Sequence, residues 1–395
     1  MTERVIACHL PVFALQPFKM SLIRYSGVYM VKLRSKVYII SEKICREVLG
    51  LRPGEKVLII SNEGRDQLTI AHSLYRACAV LGGVPVLMVQ PVKDMLDFAE
   101  DSVIYALRSK PDVIVSISKK KLGKDRFAMA EPLRTPDGRL FDHIFDYLYG
   151  GLKCSRAFWS PGITLETYER AANVDYDYIR RVASWLYAKL TSASKLTITT
   201  PRGGLFKAEI KGRRVFKDDG DIRRRGSFGN IPCGEVFTSP VTGLCEGVLV
   251  FDGSISINGR TILLSSPITV EVESGYVREV RGGPEADLLR KAIMKARDKA
   301  RKLMRSRCID RSLALKYATN ARAIGEIGFG INPKAKVVGL LIEDEKAWGT
   351  VHVAIGSNYE GDAPALNHFD CVMTKPTVEV DGEVIVENGR LKVEM

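Results

Sequence analysis

The sequence predicts an α/β N-terminal domain with a parallel sheet, followed by an α+β, strand-rich C-terminal domain that carries a metal site. Three observations lead there. Strand-length apolar runs alternate with helix-length amphipathic stretches from residue 51 to about 120, as parallel βαβ units require. Beyond Pro201 the pattern changes to short β-type runs punctuated by Gly and Asp-Gly turns, the mark of antiparallel pairing. The third is composition: 395 residues, 46% hydrophobic and 27% charged, supply apolar surface for about two to three domains.

Residues 1–30 are expected to be an N-terminal extension. Their apolar patch, "VIACHLPVFAL", is broken by Pro11 and lacks a small-residue cleavage site, so it does not read as a signal peptide. Met20 and Met30 offer alternative starts. From residue 51, "LRPGEKVLIISNEG" reads as a Pro-Gly turn, a buried strand over 57–60 and a loop. A helical pattern over 67–81 stops at Gly82 and Gly83. The strand "VPVLMV", a helix over 95–107 and a third strand, "DVIVSIS", come next. The loop "SNEGRD" lacks the glycine fingerprint of a dinucleotide-binding turn. The domain expected over 31–200 is therefore a scaffold, closing with an amphipathic helix over 176–191 and a strand over 195–200. The domain expected over 201–395 is the catalytic one, interrupted by a long basic helix from 285 to about 307.

Lys and Arg total 59 against 46 Asp and Glu, a net charge of +13. The excess is spread over 119–126, 211–225 and 290–311 without interleaved aromatics, which predicts no specific nucleic-acid partner. No run reaches the ~18 apolar residues that span a bilayer, so no membrane partner is expected. Eight cysteines without a CxxC pair indicate neither a disulfide framework nor a thiolate zinc site. A cytoplasmic location is expected. Only three glutamines amid abundant Arg, Lys and Glu point to a thermophile.

Chemistry concentrates in "GTVHVAIGSNYEGDAPALNHFDCVM", which holds His352 and His368, two of five histidines. His352 lies in an alternating run, so a strand presents it to one face. His368 and Asp370 stand at i and i+2 and point the same way in extended chain. Imidazole and carboxylate together suit zinc, manganese, cobalt or iron(II). Glu235 in "GNIPCGEVFTSP" and Glu326 in "NARAIGEIGFGINP" sit in apolar company, where a carboxylate is costly unless paired or bound to a cation. Three carboxylates and two imidazoles can hold two divalent ions, one carboxylate bridging.

The segments "FWSPGITLETYER", "ITTPRGG", "GNIPCGEVFTSP", "AIGEIGFGINP", "HVAIGSNY" and "NHFD", in that order, resemble the thermophilic metallo-aminopeptidase family, the aminopeptidase T type. The resemblance runs from about residue 57 to the C-terminus and is most specific in the second half. It implies a two-metal site (zinc, cobalt or manganese) on Glu235, Glu326, His352, His368 and Asp370, with Tyr359 as a catalytic oxyanion donor. It further implies that Glu326 acts as general base or bridging ligand, that the substrates are short peptides, and that the enzyme is a homodimer. This chain departs from that family in its longer stretch between Glu235 and Glu326 and in Gly234, where a more polar segment is usual. The likeness extends to dihydroxypyridine ring-opening dioxygenases, which share the "FW.PG.T" and "ITTP" features. There a single iron(II) would take His352, His368 and Asp370 as its triad. Glu235 and Glu326 make the hydrolase the first expectation and the dioxygenase the second.

Overall fold

The computed structural model describes residues 35–94 and 96–393; the extension expected over 1–30 lies outside them. The strands Val113–Ile117 and Lys56–Asn62 are apolar on both faces because both faces are covered. Val57, Ile59, Val113 and Val115 enter one core with Ile70, Leu74 and Ala77 of the helix Arg65–Val80. Leu58, Ile60 and Ile114 enter another, with Val103, Ile104 and Leu107 of Asp101–Arg108. The period of two along each strand sorts the residues between these cores. Five parallel strands result, in the order Phe228–Asn230, Arg156–Trp159, Val113–Ile117, Lys56–Asn62, Val84–Gln90. The edge strand Phe228–Asn230 comes from far down the chain.

The helix expected over 95–107 begins only at Asp101. Phe98 instead bridges to Lys124, and the Ala99 amide donates to the Lys124 carbonyl at 2.9 Å. Pairing between distant segments overrides the local helical pattern. The helix Tyr176–Ser192 follows expectation, its first turn capped by the Asp175 carboxylate. So does the basic helix Pro284–Arg305, which turns Ala286, Leu289, Ala292 and Ile293 inward and its charges outward. No helix among the described residues is long and apolar enough to cross a membrane.

Beyond residue 194 the chain forms two antiparallel sheets. One has eight strands and runs from Tyr276–Arg281 through Lys195–Thr199 to Arg390–Leu391. The other has seven, in the order Arg260–Leu263, Ser254–Ile257, His368–Met373, Val351–Gly356, Ile324–Gly330, Glu235–Thr238, Val215–Asp218. A parallel α/β sheet with helices, followed by a strand-rich antiparallel region, is what the sequence predicts.

Candidate metal centre

The central strands of the seven-stranded sheet are chemically two-faced. Ile327, Phe329, Val353, Ile355, Phe369 and Cys371 point into the core. The alternate positions carry Glu326, Gly328 and Gly330, His352 and Ala354, and His368 and Asp370. The register pairs Glu326 with Ala354, Ala354 with Asp370, Gly328 with His352, Gly356 with His368, and Glu235 with Gly330. Directly paired residues share a face, so all five ionisable side chains rise from the same side of the sheet. The glycines between them are the floor. A Cβ on Gly328 would stand 2.1 Å from His352 Nε2, so the imidazole can lie across the neighbouring strand only above a glycine. Gly234, just before Glu235, has φ +122° and abuts Asn332, where a Cβ would meet the Asn332 Cβ at 2.7 Å. Any side chain at position 234 would clash there.

Glu326 lies between the two imidazoles. Its carboxylate oxygens are 3.0 Å from His352 Nε2 and 3.1 Å from His368 Nε2, and Asp370 Oδ1 is 3.2 Å from the same His368 nitrogen. Ligand atoms of Glu326, His368 and Asp370 all fall within 4.8 Å of one another, close enough to hold one metal ion. His352 joins that group through Glu326. Burial alone would raise the Glu326 carboxyl, but the hydrogen bonds from His352 and His368 bring it down to about 2. Burial would lower His352, but Glu326 and then Glu235 push it up to about 9. His368 is likewise raised well above its ordinary value, Asp370 and Glu326 outweighing burial. Contacts of 3.0–3.2 Å between the imidazoles and the carboxylates thus hold the group together, and a divalent cation would offer the same compensation. The donor set fits such an ion: nitrogen and carboxylate oxygen, hard to borderline. His368 Nδ1–H donates to the Ser357 carbonyl at 2.9 Å, turning Nε2 toward the carboxylates of the site. His352 Nδ1 is buried without a partner among the described residues.

Glu235 is close but differently engaged. One oxygen faces His352 Nε2 at 3.8 Å, and the other accepts a hydrogen bond from Lys346 Nζ at 3.0 Å. Burial and the nearby Glu345 and Asp218 carboxylates push Glu235 up to about 8, against the pull of Lys346 and His352. Tyr359 stands edge-on to His368, ring centroids 5.7 Å apart, and packs against Phe237 and Phe216 at 5.1 and 5.7 Å. The Glu326 charge, then loss of solvent around the hydroxyl, then Asp370 raise its phenol far above the ordinary value. It is a hydrogen-bond donor at any ordinary pH.

The structure adds residues that sequence reasoning missed. Lys346 lies in "EDEKAWG", a charged stretch that reads as a solvated loop. Lys121 belongs to the run "KKK", yet its ammonium sits 4.8 Å over the Trp159 ring and makes no ion pair or hydrogen bond among the described residues. Burial lowers its pKa, and Asp370 opposes that. Trp159 Nε1 is buried without a hydrogen-bond partner among the described residues. Only the tryptophan had a signal, its place in "FWSPG".

Among solved structures, the chain is similar to 2,5-dihydroxypyridine dioxygenase from Pseudomonas putida KT2440. The TM-score is 0.67 at 17% identity, over 91% of this chain and 98% of that one. It is also similar to wild-type AmpT from Thermus thermophilus, TM-score 0.59 at 16% identity, over 91% and 100%. Both likenesses concern the fold alone. By sequence, the 2,5-dihydroxypyridine 5,6-dioxygenase of Pseudomonas putida is 23% identical over 213 residues. That match takes in 51% of this chain and 55% of the relative, about half the relative's length. The first expectation, a metallo-aminopeptidase and hydrolase of short peptides, is therefore corrected: family and curated relative are both named for a dioxygenase. The expectation leaned on Glu235 and Glu326 as signs of a second metal ion. A buried carboxylate needs a cation, but that cation can be an ammonium, and Glu235 has one in Lys346. A family model matches residues 175–393, more than half of the chain, and the chain belongs to that family, described as NicX: 2,5-dihydroxypyridine 5,6-dioxygenase.

Proposed function

We propose that this protein is a ring-cleaving dioxygenase that uses one iron(II) ion to open a hydroxylated nitrogen heteroaromatic ring, with 2,5-dihydroxypyridine as the reference substrate. The observation that carries the reading is the convergence of Glu326, His368 and Asp370 within 4.8 Å, inside the segment that matches the dioxygenase family. These three would hold the ion, with His352 hydrogen-bonded to Glu326 beside them. Bound iron(II) supplies the redox chemistry that lets dioxygen react with an electron-rich ring.

The remaining residues bind and orient. Trp159 offers an aromatic surface and an indole N–H that has no partner among the described residues. Lys121 is a desolvated cation on the Asp370 side of the site, suited to an anionic ring oxygen or carboxylate; a buried charge of this kind is expensive until paired. Tyr359, held by Phe216 and Phe237, donates a hydrogen bond to a substrate oxygen. Its raised pKa keeps that proton in place. The test is anaerobic reconstitution with iron(II), then oxygen uptake with 2,5-dihydroxypyridine and other hydroxylated pyridines. Iron-dependent uptake with loss of the ring absorbance is expected. Loaded protein that consumes no oxygen with any of them rules the proposal out.

A further inference from the structure

Lys346 is fully buried, its Nζ 2.7 Å from Glu345, 3.0 Å from Glu235 and 3.7 Å from Asp218. We infer that Lys346 takes the place of a second metal ion: its ammonium occupies Glu235 and restricts the centre to one divalent cation. The inference rests on the proposed ion at Glu326, His368 and Asp370, and it concerns the donors next to it. Glu235, His352 and Glu326 form a second set, with Glu235 and Glu326 oxygens 3.8 and 3.0 Å from the same imidazole nitrogen. Glu326 belongs to both sets, as a bridging carboxylate would. Donor types alone would admit a second ion there. What opposes it is a fixed positive charge on Glu235, in surroundings too dry to screen the repulsion.

The ammonium cannot swing away. Lys346 follows the short helix Leu341–Asp344, which is tied down on both sides. Glu343 takes Arg170 at 2.8 Å and Thr167 at 2.6 Å; Asp344 takes Ser254 at 2.7 Å and the Val338 amide at 2.7 Å. The Lys346 carbonyl accepts from the Asn332 amide at 2.9 Å. Asp218 and Glu345 have a plain role in this arrangement. They complete the cage that makes a buried ammonium tolerable, and the second Asp218 oxygen has no hydrogen-bond partner among the described residues.

The experiment counts ions. Full-length protein is loaded anaerobically with cobalt(II), freed of excess by gel filtration, and assayed for metal per chain. The wild type should hold one ion and Lys346→Met two, the second lost again in Lys346→Met/Glu235→Gln. Two ions in the wild type, or one in a folded Lys346→Met, overturn the inference. Should Lys346→Met fail to fold, Glu235→Gln decides. It should retain one ion with affinity weakened about tenfold, as for a group acting from outside the ligand set; loss of the ion would make Glu235 a direct ligand and overturn the inference. The count does not depend on turnover. One ion in a protein that cleaves no ring would leave this inference standing and remove the proposed function, whereas a wild type that holds no ion defeats both.

Discussion

Replacing Gly328 by alanine tests the geometry of the centre directly. The new Cβ would stand 2.1 Å from His352 Nε2 and 2.2 Å from its Cε1. Ordinary carbon contact is about 3.5 Å, so the ring must retreat by about 1.4 Å. The strands cannot absorb this, because their opposite faces, Ile327, Phe329 and Val353, are fully packed in the core. The imidazole must therefore leave its 3.0 Å hydrogen bond to Glu326. Overpacking of this kind costs about 1–3 kcal/mol, and a displacement of ~1 Å at a reacting centre costs about 10²-fold in rate. Urea denaturation and oxygen uptake measure the two effects. Gly150→Ala is the control, since its Cβ would meet only Phe141 at 3.7 Å, an ordinary contact. If Gly328→Ala kept wild-type stability and rate, the His352 placement described above would be wrong.

His368→Ala should abolish tight iron(II) binding and with it the thermal stabilisation by metal, which for wild type is about 2.7 kcal/mol at an ion concentration of ~100 Kd; an undiminished metal-induced rise in Tm would contradict the ligand role. Lys121→Met should raise KM for an anionic hydroxypyridine about tenfold or more, the scale of one hydrogen bond to a charged group, with little change for an uncharged ring ether; equal effects on both would remove Lys121 from substrate binding. Metal-free protein should lose stability between pH 4.5 and 9. Asp218, Glu235 and His352, raised to about 7, 8 and 9, bind protons more tightly folded than unfolded. Their stabilisation is complete below the ordinary values and disappears as pH climbs through the folded ones. Glu326, lowered to about 2, works the opposite way: its contribution is present above its ordinary value of 4.5 and is lost as pH falls toward 2. A urea midpoint that is flat or rising from pH 5 to 9 would refute the raised values. Finally, the outward basic face of Pro284–Arg305 should bind nucleic acid only weakly and lose it steeply by ~0.2 M salt; sequence-selective binding in a filter assay at higher salt would argue for a real partner.

Local pattern determined much of this protein. Alternation in "GEIGFGI", "HVAIG" and "HFDCVM" decides which residues face the core and which face the site, because a strand has a period of two. The same holds for the continuous apolar runs of the parallel sheet and the cap-bounded helix Tyr176–Ser192. Local pattern also placed Glu235, Glu326, His352, His368 and Asp370 on one list, and the structure brings all five to one face. What it did not determine was partnership. Whether Glu235 meets a metal ion or an ammonium depends on Lys346, 111 residues away, and nothing in "EDEKAWG" marks that lysine as buried. Lys121, from a segment whose own pattern describes a solvated loop, feels the Asp370 charge and lies over the ring of Trp159 at a strand end. Burial and ion pairing are properties of three-dimensional neighbours, and a choice between one cation and another is made by distances of a few ångströms that only the tertiary structure sets.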